Sequence, residues 1–364
     1  MKKIRYVNLS VVNKNLKKNY INSFNKILKH GQFILGPEVT LLEKKLASHC
    51  QRKYAIATGS GTDALYLAVK SLKIGKGDEV ITTPMSWVSS TNAISVNGAK
   101  PIFVDIDNDL NIDCEKIEKA ISRKTKAILF VNFTGKICNV KKIKWIANKY
   151  KINLIEDAAQ SFGSIKYNRP SGSFGDISCV SLNPMKVLSS LGEAGVVLTD
   201  DKRLYERIKI LRYAGMVNKE NCFYPSLNFK IDTIQAAFIL DNLKKLKKKI
   251  NLRNKFAKYY IKNLTDKIEM PEILQNEKHS FYSFTIKAPK RNALKRYLLD
   301  CGIETKIQHP ILISDQKAYK GNHKFSLKNA KNLVKKILCI PINENLKKSE
   351  LNYITKKINL FYSK

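Results

Sequence analysis

Apolar segments alternate with amphipathic ones along most of the chain, and this pattern predicts an α/β domain. Short apolar segments of the kind that form buried parallel strands recur between longer segments with helical spacing. The strand segments are YAIAT, EVITTP, KPIFVDID, TKAILFVNF and INLIEDAA, followed by DISCVSLN and GVVLTD. This order of elements is typical of a mostly parallel sheet covered by helices.

The pattern changes where a lysine-rich amphipathic helix begins. The next segment, HSFYSFTIKAPKRNALKRYLLDCGIE, predicts strand, helix and strand, and KKSELNYITKKINLFY predicts a final amphipathic helix. We therefore predict a large α/β domain at 1–245 and a smaller α+β C-terminal domain at 246–364.

The chain has 364 residues and a formal net charge of +36, from 66 lysines and arginines against 30 acidic residues. Such an excess is typical of proteins that bind polyanions, nucleic acids above all. Here it is mostly lysine, is spread along the whole chain and includes no basic tail. We therefore attribute it to a lysine-rich composition that also attracts anionic substrates, and we predict no nucleic-acid partner.

Seven cysteines are scattered from Cys50 to Cys339, and none forms a C-x-x-C pair. This spacing predicts reduced thiols, with neither a disulfide framework nor a zinc site. No segment has 18 consecutive apolar residues, so we expect no membrane insertion. The first residues, MKKIRYVNLSVVNKNLKK, lack the apolar segment of a signal peptide, and we predict a cytoplasmic protein.

Three motifs carry candidate chemistry, and the first is GSGTDAL, between a strand and a helix. Glycines allow backbone N–H groups to converge, and the start of a helix carries partial positive charge. The motif predicts a site for one phosphate, since it lacks the third glycine of a dinucleotide fingerprint and the lysine of a P-loop. A tight turn capped by the threonine explains the same residues equally well.

The second motif, LIEDAAQSFGS, places Asp157 at the carboxyl end of a buried strand. Ligands bind at such strand ends in open α/β sheets. The carboxylate suits a cationic ring nitrogen, a ribose or a metal, and a helix N-cap is the structural alternative. No histidine or cysteine lies near it with ligand spacing, so we predict no metal site.

The third motif, SLNPMKVLSSLGEAG, holds Lys186 among apolar and small residues, away from the lysine clusters. An amine in such surroundings is a candidate nucleophile. Pyridoxal 5'-phosphate (PLP) requires a phosphate site, an acid for its ring nitrogen and a lysine that forms a Schiff base. The three motifs supply these groups in that order. Trp87 follows another strand end, where it either covers the ring or packs in the core.

Together these motifs resemble the DegT/DnrJ/EryC1/StrS family of sugar aminotransferases. The resemblance runs nearly end to end. Its further segments, in the family's order, are GPEVTLLEKKLA, TPMSWVSSTNAI, PIFVDID, LNFKIDTIQAA, GIETKIQHP and LCIPIN. It implies an α/β fold of the fold-type I aspartate-aminotransferase kind, in which a large domain with a mostly parallel sheet precedes a smaller α+β domain.

The resemblance also implies roles for the residues around the cofactor ring. Lys186 is expected to carry PLP as a Schiff base and to move the proton between the cofactor and the substrate carbon. Asp157 is expected to pair with the ring nitrogen, Gln160 to lie near the ring hydroxyl, and Trp87 to stack on the ring.

Further residues are implied for the phosphate and the substrate. Gly61, Thr62 and Ser181 are expected at the phosphate. Asn228 is expected to reach the phosphate of the neighbouring subunit's cofactor, which implies a homodimer with shared active sites. His309 is expected near the sugar-nucleotide end of the site.

The implied reaction moves an amino group from an amino acid, which we expect to be glutamate, to a nucleotide-linked keto-deoxysugar. In some relatives histidine replaces the lysine and the enzyme dehydrates or deoxygenates its sugar, so Lys186 favours transamination. The segment IDTIQAA resembles enzymes that aminate C3 of a dTDP- or UDP-linked 3-keto sugar. The alternatives are amination at C4 of a 4-keto sugar, a keto substrate without a nucleotide and, more distantly, a basic nucleic-acid-binding scaffold.

Three positions depart from the family's pattern. Ala194 stands where glycine is usual, FTGKICNV replaces an H-x-x-G segment, and ILISDQ replaces P-L-H. The last two lie where substrate contacts are expected, so they bear on the identity of the sugar and leave the expected chemistry unchanged.

Overall fold

The structure, a computed structural model, describes residues 3–321 and 324–363. The helices are α1 (Lys14–His30), α2 (Pro37–His49), α3 (Gly61–Ser71), α4 (Ser89–Val96), α5 (Cys114–Ala120), α6 (Val140–Tyr150), α7 (Lys202–Arg212), α8 (Thr233–Leu243), α9 (Leu246–Asn263), α10 (Arg291–Asp300), α11 (Lys328–Leu333) and α12 (Lys348–Ser363). The strands are β1 (Tyr54–Thr58), β2 (Glu79–Thr82), β3 (Lys100–Phe103), β4 (Thr125–Val131), β5 (Asn153–Asp157), β6 (Ile165–Lys166), β7 (Arg169–Pro170), β8 (Ile177–Ser181), β9 (Gly195–Thr199), β10 (Met216–Val217), β11 (Asn221–Cys222), β12 (Glu277–Lys278), β13 (Phe284–Lys287) and β14 (Ile337–Ile340).

A seven-stranded sheet lies at the centre of the fold, in the order β1–β9–β8–β5–β4–β2–β3. Strand β5 pairs in parallel with β4 and β8, and β2 pairs in parallel with β3 and β4. Strand β9 is antiparallel to both of its neighbours, as a return from β8 through a loop without a crossover helix requires. The predicted α/β class and the mostly parallel sheet are confirmed.

Helices cover both faces of this sheet. On β5, Ile155 packs in the cluster that includes α3, α4 and α7, whereas Leu154 packs on the opposite face with α5 and α6. Successive side chains of a strand point to opposite faces, so a strand covered on both sides must be apolar throughout. This explains why the central strands read as continuous apolar segments.

The C-terminal part has its own core. Strands β13 and β14 pair in antiparallel, and their residues pack with α9, α10 and α12 in a cluster that includes Phe284 and Ile354. Ile4 belongs to this cluster too, so it packs in the same core as helix α12. Helix α9 contributes to two clusters, with Tyr260 in this C-terminal core and Ile250 in the core that α2, α8 and β9 share. The division between 1–245 and 246–364 stays a prediction.

The strand expected in the segment CGIE is absent from the described structure, and that prediction was wrong. Ile303 forms an isolated bridge with Ile4, and the partner of β13 is β14, much later in the chain. Strand β14 is buried along its whole length. Pairing β13 with β14 therefore removes more apolar surface from water than pairing it with the CGIE segment would.

Three elements bring the candidate residues to one edge of the sheet. Asp157 is the last residue of β5, Ser181 is the last residue of β8, and Gly61 is the first residue of α3. Lys186 lies in the loop that joins β8 to β9. The carboxyl ends of the parallel strands therefore form the floor of a site.

Candidate active site

A cavity of about 490 Å³ opens at this edge of the sheet. Its lining contains eight of the nine residues that the sequence pointed to: Gly61, Thr62, Trp87, Asp157, Gln160, Ser181, Lys186 and His309. The volume is that of an ordinary small-molecule site. Residues distant in sequence therefore surround one space, as a binding site requires.

The start of α3 forms one end of the cavity. Ser60 caps the helix, its Oγ accepting a hydrogen bond from the backbone N–H of Asp63 at 3.0 Å. A Cβ at Gly61 would lie 2.6 Å from the Cβ of Ser181, so only glycine allows the helix to approach β8 this closely. The Thr62 and Ser89 hydroxyls lie 2.8 Å apart. Hydroxyls and a helix N-terminus together suit an anion.

Asp157 lies at the inner wall of the cavity, where its side chain is buried. Its Oδ2 accepts a hydrogen bond from Ser90 Oγ at 2.7 Å, and its Oδ1 accepts one from the N–H of Ala159 at 3.1 Å. Burial raises the pKa of this carboxyl, although both hydrogen bonds and the charge of Lys186 act in the opposite direction. The carboxylate is thus incompletely compensated, and a cation bound beside it would stabilise its charged form.

Lys186 projects from its loop into the same cavity. Its Nζ lies 4.7 Å from the centre of the Tyr282 ring, in a cation–π geometry, and its backbone N–H bonds to the carbonyl oxygen of Asn183 at 2.9 Å. The residue is partly buried, as its apolar sequence surroundings suggested. Tyr282 comes from the C-terminal part of the chain, so the two parts meet at this lysine.

Gln160 and Trp87 lie on different sides of the space. Gln160 is buried, and its Oε1 accepts a hydrogen bond from the N–H of Thr134 at 2.9 Å. Trp87 has 61% of its surface exposed and lies 6.0 Å from His309 between ring centres. Its exposure excludes core packing, which was the alternative for this tryptophan.

His309 borders the open side of the cavity in a strained backbone conformation, with φ of 51°. Burial, with the charges of Lys306 and Lys186, lowers the pKa of its imidazole to about 4. The ring is therefore neutral at pH 7, and one nitrogen donates while the other accepts.

Asn228 does not line the cavity of its own chain. It is exposed, forms a bridge with Tyr213, and its neighbours Phe223 and Leu227 are exposed as well. Its expected contact with a second subunit stays a prediction.

Several lining residues were missed by sequence reasoning. They are Ser60, Ser86, Ser89, Ser90, Glu193, Tyr282, Lys306 and Gln308. The serines lie in two short segments that follow strands, and this position was the available signal. Tyr282, Lys306 and Gln308 enter from the C-terminal part, and no local pattern marks them.

The departure at Ala194 is accommodated without a change in the site. Its side chain is fully buried in the core beside β9, and its carbonyl oxygen accepts a hydrogen bond from the N–H of Leu182 at 2.8 Å.

Within residues 3–321 and 324–363, no group of three or more histidine, cysteine or acidic side chains is arranged to hold a metal. Over the same ranges, no helix has the length and apolar character needed to cross a membrane.

Comparison with known proteins adds a family to this geometry. The DegT/DnrJ/EryC1/StrS aminotransferase family matches residues 14–359. The dTDP-3-amino-3,6-dideoxy-alpha-D-galactopyranose transaminase of Aneurinibacillus thermoaerophilus is 34% identical, over 98% of this chain and 99% of its own. The 3-oxo-glucose-6-phosphate:glutamate aminotransferase of Bacillus subtilis is also 34% identical, over 82% of this chain and 69% of its own.

A solved structure shows the same fold with a cofactor bound. The crystal structure of NtdA from Bacillus subtilis with the bound cofactor PMP superposes with a TM-score of 0.92 at 30% identity. The match covers 100% of this chain and 86% of that one.

Proposed function

The chain belongs to the DegT/DnrJ/EryC1/StrS aminotransferase family, and from that premise we propose that it transfers an amino group to C3 of a nucleotide-linked 3-keto-deoxysugar. It is a PLP-dependent sugar aminotransferase with fold-type I architecture. The names of the two relatives place their reactions at the sugar's 3-position, which supports C3 over C4 for this chain. The glutamate in the second name supports glutamate as the donor.

The cavity residues fit PLP, and this fit is the observation that carries the amino-transfer part of the proposal. The start of α3, with Gly61 and Thr62, suits the phosphate, because a Cβ at Gly61 would close the approach to Ser181. Asp157 is a buried carboxylate that lacks a full charge partner, which a protonated ring nitrogen would supply. Lys186 lines the same cavity and offers the amine.

When bound, PLP supplies an electron sink that makes the hydrogen on the substrate carbon acidic. We propose that Lys186 Nζ would hold the cofactor and, once an incoming substrate amine has displaced it, would move the proton between the substrate carbon and the cofactor. Asp157 would stabilise a protonated ring nitrogen, and Ser90 positions the carboxylate through a hydrogen bond of 2.7 Å. Trp87 covers the cavity from the exposed side and limits access of water.

The open side of the cavity suits a phosphorylated sugar. Lys306 adds positive charge there, and the neutral His309, whose Nε2 lies 3.3 Å from Gln308 Nε2, can donate to a sugar oxygen from its other ring nitrogen. We propose that Lys306 attracts the diphosphate of the nucleotide and that His309 binds the sugar. This arrangement suits a dTDP- or UDP-linked substrate.

A keto sugar phosphate without a nucleotide is the second candidate substrate. The relative from Bacillus subtilis is named for 3-oxo-glucose 6-phosphate, which carries one phosphate and no base. Binding of dTDP or UDP to the purified protein, measured by calorimetry, distinguishes the two candidates. Saturable binding supports the nucleotide-linked sugar, and its absence supports the sugar phosphate.

We propose that two chains form a homodimer with shared sites. Apolar side chains exposed in the single chain support this, among them Phe223 and Leu227 beside Asn228, and Phe24 on α1. Subunits with Lys186→Ala and with Asn228→Ala should each be inactive. A mixed dimer contains one site with both native residues, so mixing them should restore activity. No recovery after subunit exchange would contradict shared sites.

Borohydride reduction tests the central role of Lys186. We expect reduction with PLP to attach the cofactor covalently to the peptide that contains Lys186, and Lys186→Ala to lose both the adduct and turnover. The surface residue Lys244 provides the matched control, since Lys244→Ala should retain both. An adduct elsewhere, or turnover without Lys186, would contradict the proposed role. The cytoplasmic location stays a prediction.

A further inference from the structure

The turn that follows β4 holds a residue in a strained conformation. Thr134 has φ of 60° and ψ of −10°, in the left-handed region, and its side chain is buried. A β-branched residue is a genuine outlier there, and such strain costs about 1–3 kcal/mol. Strain of this kind persists only where the surroundings impose it, and it concentrates at functional sites.

Neighbouring contacts impose this conformation from several sides. The carbonyl oxygen of Gly135 accepts a hydrogen bond from Ser164 Oγ at 2.6 Å, and that of Thr134 accepts one from the N–H of Ser283 at 3.2 Å. A Cβ at Gly135 would lie 2.5 Å from Ser280 Oγ, so the turn packs closely against the C-terminal part. The turn is therefore fixed between the large core and the C-terminal part.

The strained peptide delivers one hydrogen bond into the candidate site. The N–H of Thr134 donates to Oε1 of Gln160 at 2.9 Å. A backbone N–H can only donate, so this contact determines which end of the Gln160 amide is its oxygen. Within residues 3–321 and 324–363, Gln160 accepts hydrogen bonds at Oε1 and at its backbone oxygen, and Nε2 donates none. Because Gln160 lines the cavity, Nε2 is available as a donor to a bound molecule.

We propose that Thr134 is a positioning residue whose peptide N–H orients Gln160, so that the Gln160 amide presents a donor to the ring oxygen of PLP. The proposal rests on the proposed function, since it needs PLP in this cavity. The proposal also explains the strain at Thr134, because relaxing φ of Thr134 would turn its N–H away from Gln160. A ring oxygen that carries negative charge needs a donor, and an amide in the other orientation would present an acceptor.

Two substitutions of Gln160 separate the two ends of the amide. Gln160→Glu keeps an acceptor for the N–H of Thr134 but replaces the donor with a negative charge. We expect amide exchange at Thr134 in the cofactor-free protein to stay as slow as in wild type. We expect PLP to bind about tenfold to a hundredfold more weakly. In a pH titration, we expect the absorbance of the bound cofactor to change at a higher pH than in wild type.

Gln160→Leu removes both the acceptor and the donor of the side-chain amide. We expect amide exchange at Thr134 to become at least about tenfold faster, because its N–H loses its partner, and PLP binding to weaken as well. Lys244→Ala is the control, since Lys244 is exposed and lies outside the cavity. It should bind PLP within about twofold of wild type.

Each outcome decides a different point. Unchanged exchange at Thr134 in Gln160→Leu would show that the hydrogen bond does not protect this amide, and would overturn the proposal. Wild-type PLP affinity in Gln160→Glu would also overturn it, as would a loss of PLP affinity in Lys244→Ala as large as that in Gln160→Leu. If the wild-type protein itself binds no PLP, the proposed function fails instead, and the exchange measurements still report on the Thr134–Gln160 contact.

Discussion

Two adjacent carboxylates on β5, Glu156 and Asp157, differ sharply although both are almost completely buried. They point to opposite faces of the sheet because they are consecutive residues of a strand. Glu156 accepts hydrogen bonds from five donors: Asn132 Nδ2, Ser171 Oγ, the N–H groups of Gly172 and Phe174, and Ser178 Oγ. Asp157 accepts from two, Ser90 Oγ and the N–H of Ala159, and faces the cavity.

The comparison shows how a structural carboxylate differs from a functional one at equal burial. Glu156 holds the 171–174 loop against the strands, with every donor coming from the protein. Asp157 has too few donors to offset its burial, and its pKa is raised as a result. Such incomplete compensation costs stability in the empty protein and prepares the site for a cationic ligand.

Glu156→Ala should have the largest effect, and the effect should be on stability. The substitution leaves the N–H groups of Gly172 and Phe174 and the amide of Asn132 without their acceptor. Each unpaired buried donor costs about 1–3 kcal/mol, so we expect the free energy of unfolding to fall by at least about 3 kcal/mol. Urea unfolding measures it. Glu156→Gln retains one acceptor oxygen and should lose less; equal losses would contradict this assignment.

Asp157→Asn should affect activity most and leave stability intact. Asparagine keeps the shape and an acceptor for the N–H of Ala159, but it cannot stabilise a cation beside it. We expect the turnover number to fall by about a hundredfold or more, as for other lost electrostatic partners of reacting groups. Thermal unfolding of the cofactor-free variant should occur at or above the wild-type temperature. Wild-type turnover in this variant would exclude Asp157 from the chemistry.

The sequence predicted the parts of the site that local order determines. The local pattern of apolar and polar residues predicts each of three features: Asp157 at a strand end, the GSGTDAL turn, and Lys186 in an apolar loop. Their convergence also follows, because carboxyl ends of parallel strands share one edge of a sheet. The fold class was predictable for the same reason.

The remaining parts depend on contacts between distant segments. Tyr282 reaches Lys186 from the C-terminal part, and Ile4 joins the core of that part, although neither lies in a segment with a distinctive pattern. The left-handed conformation of Thr134 is imposed by contacts with Ser164 and Ser283, so its own side chain gives no sign of it. The error at CGIE has the same origin, since an apolar pattern identifies a strand but not its partner.

Ser90→Ala should widen the difference between the two carboxylates, because it removes one of the two donors to Asp157. The Ser90 hydroxyl lowers the pKa of Asp157, so its loss should raise that pKa further. One hydrogen bond contributes about 1 kcal/mol, and we expect PLP affinity to fall about fivefold in a spectroscopic titration. Ser86 touches Ser90 at 2.9 Å but does not contact Asp157, so Ser86→Ala is the control and should have a smaller effect. Equal effects would contradict a direct role for Ser90.

The smallest expected effect is a pH dependence that Asp157 alone should produce in the cofactor-free protein. The ordinary pKa of an aspartate is 3.8, and the folded protein raises it. Below the ordinary pKa, the Asp157 carboxyl is protonated in both the folded and the unfolded protein. It then adds no pH dependence to the free energy of unfolding. As the pH rises above the ordinary pKa, the unfolded chain releases a proton that the folded chain retains, so the wild-type free energy of unfolding falls relative to Asp157→Asn.

This fall should be at most about 1.4 kcal/mol per pH unit and should stop once the folded carboxyl ionises. Urea unfolding of both proteins at a series of pH values measures the difference directly. In Ser90→Ala the fall should continue to higher pH, because the folded pKa is higher still. A difference that stays constant with pH, or that grows in favour of the wild type, would mean that Asp157 is as fully compensated as Glu156, and the contrast between the two carboxylates would not hold.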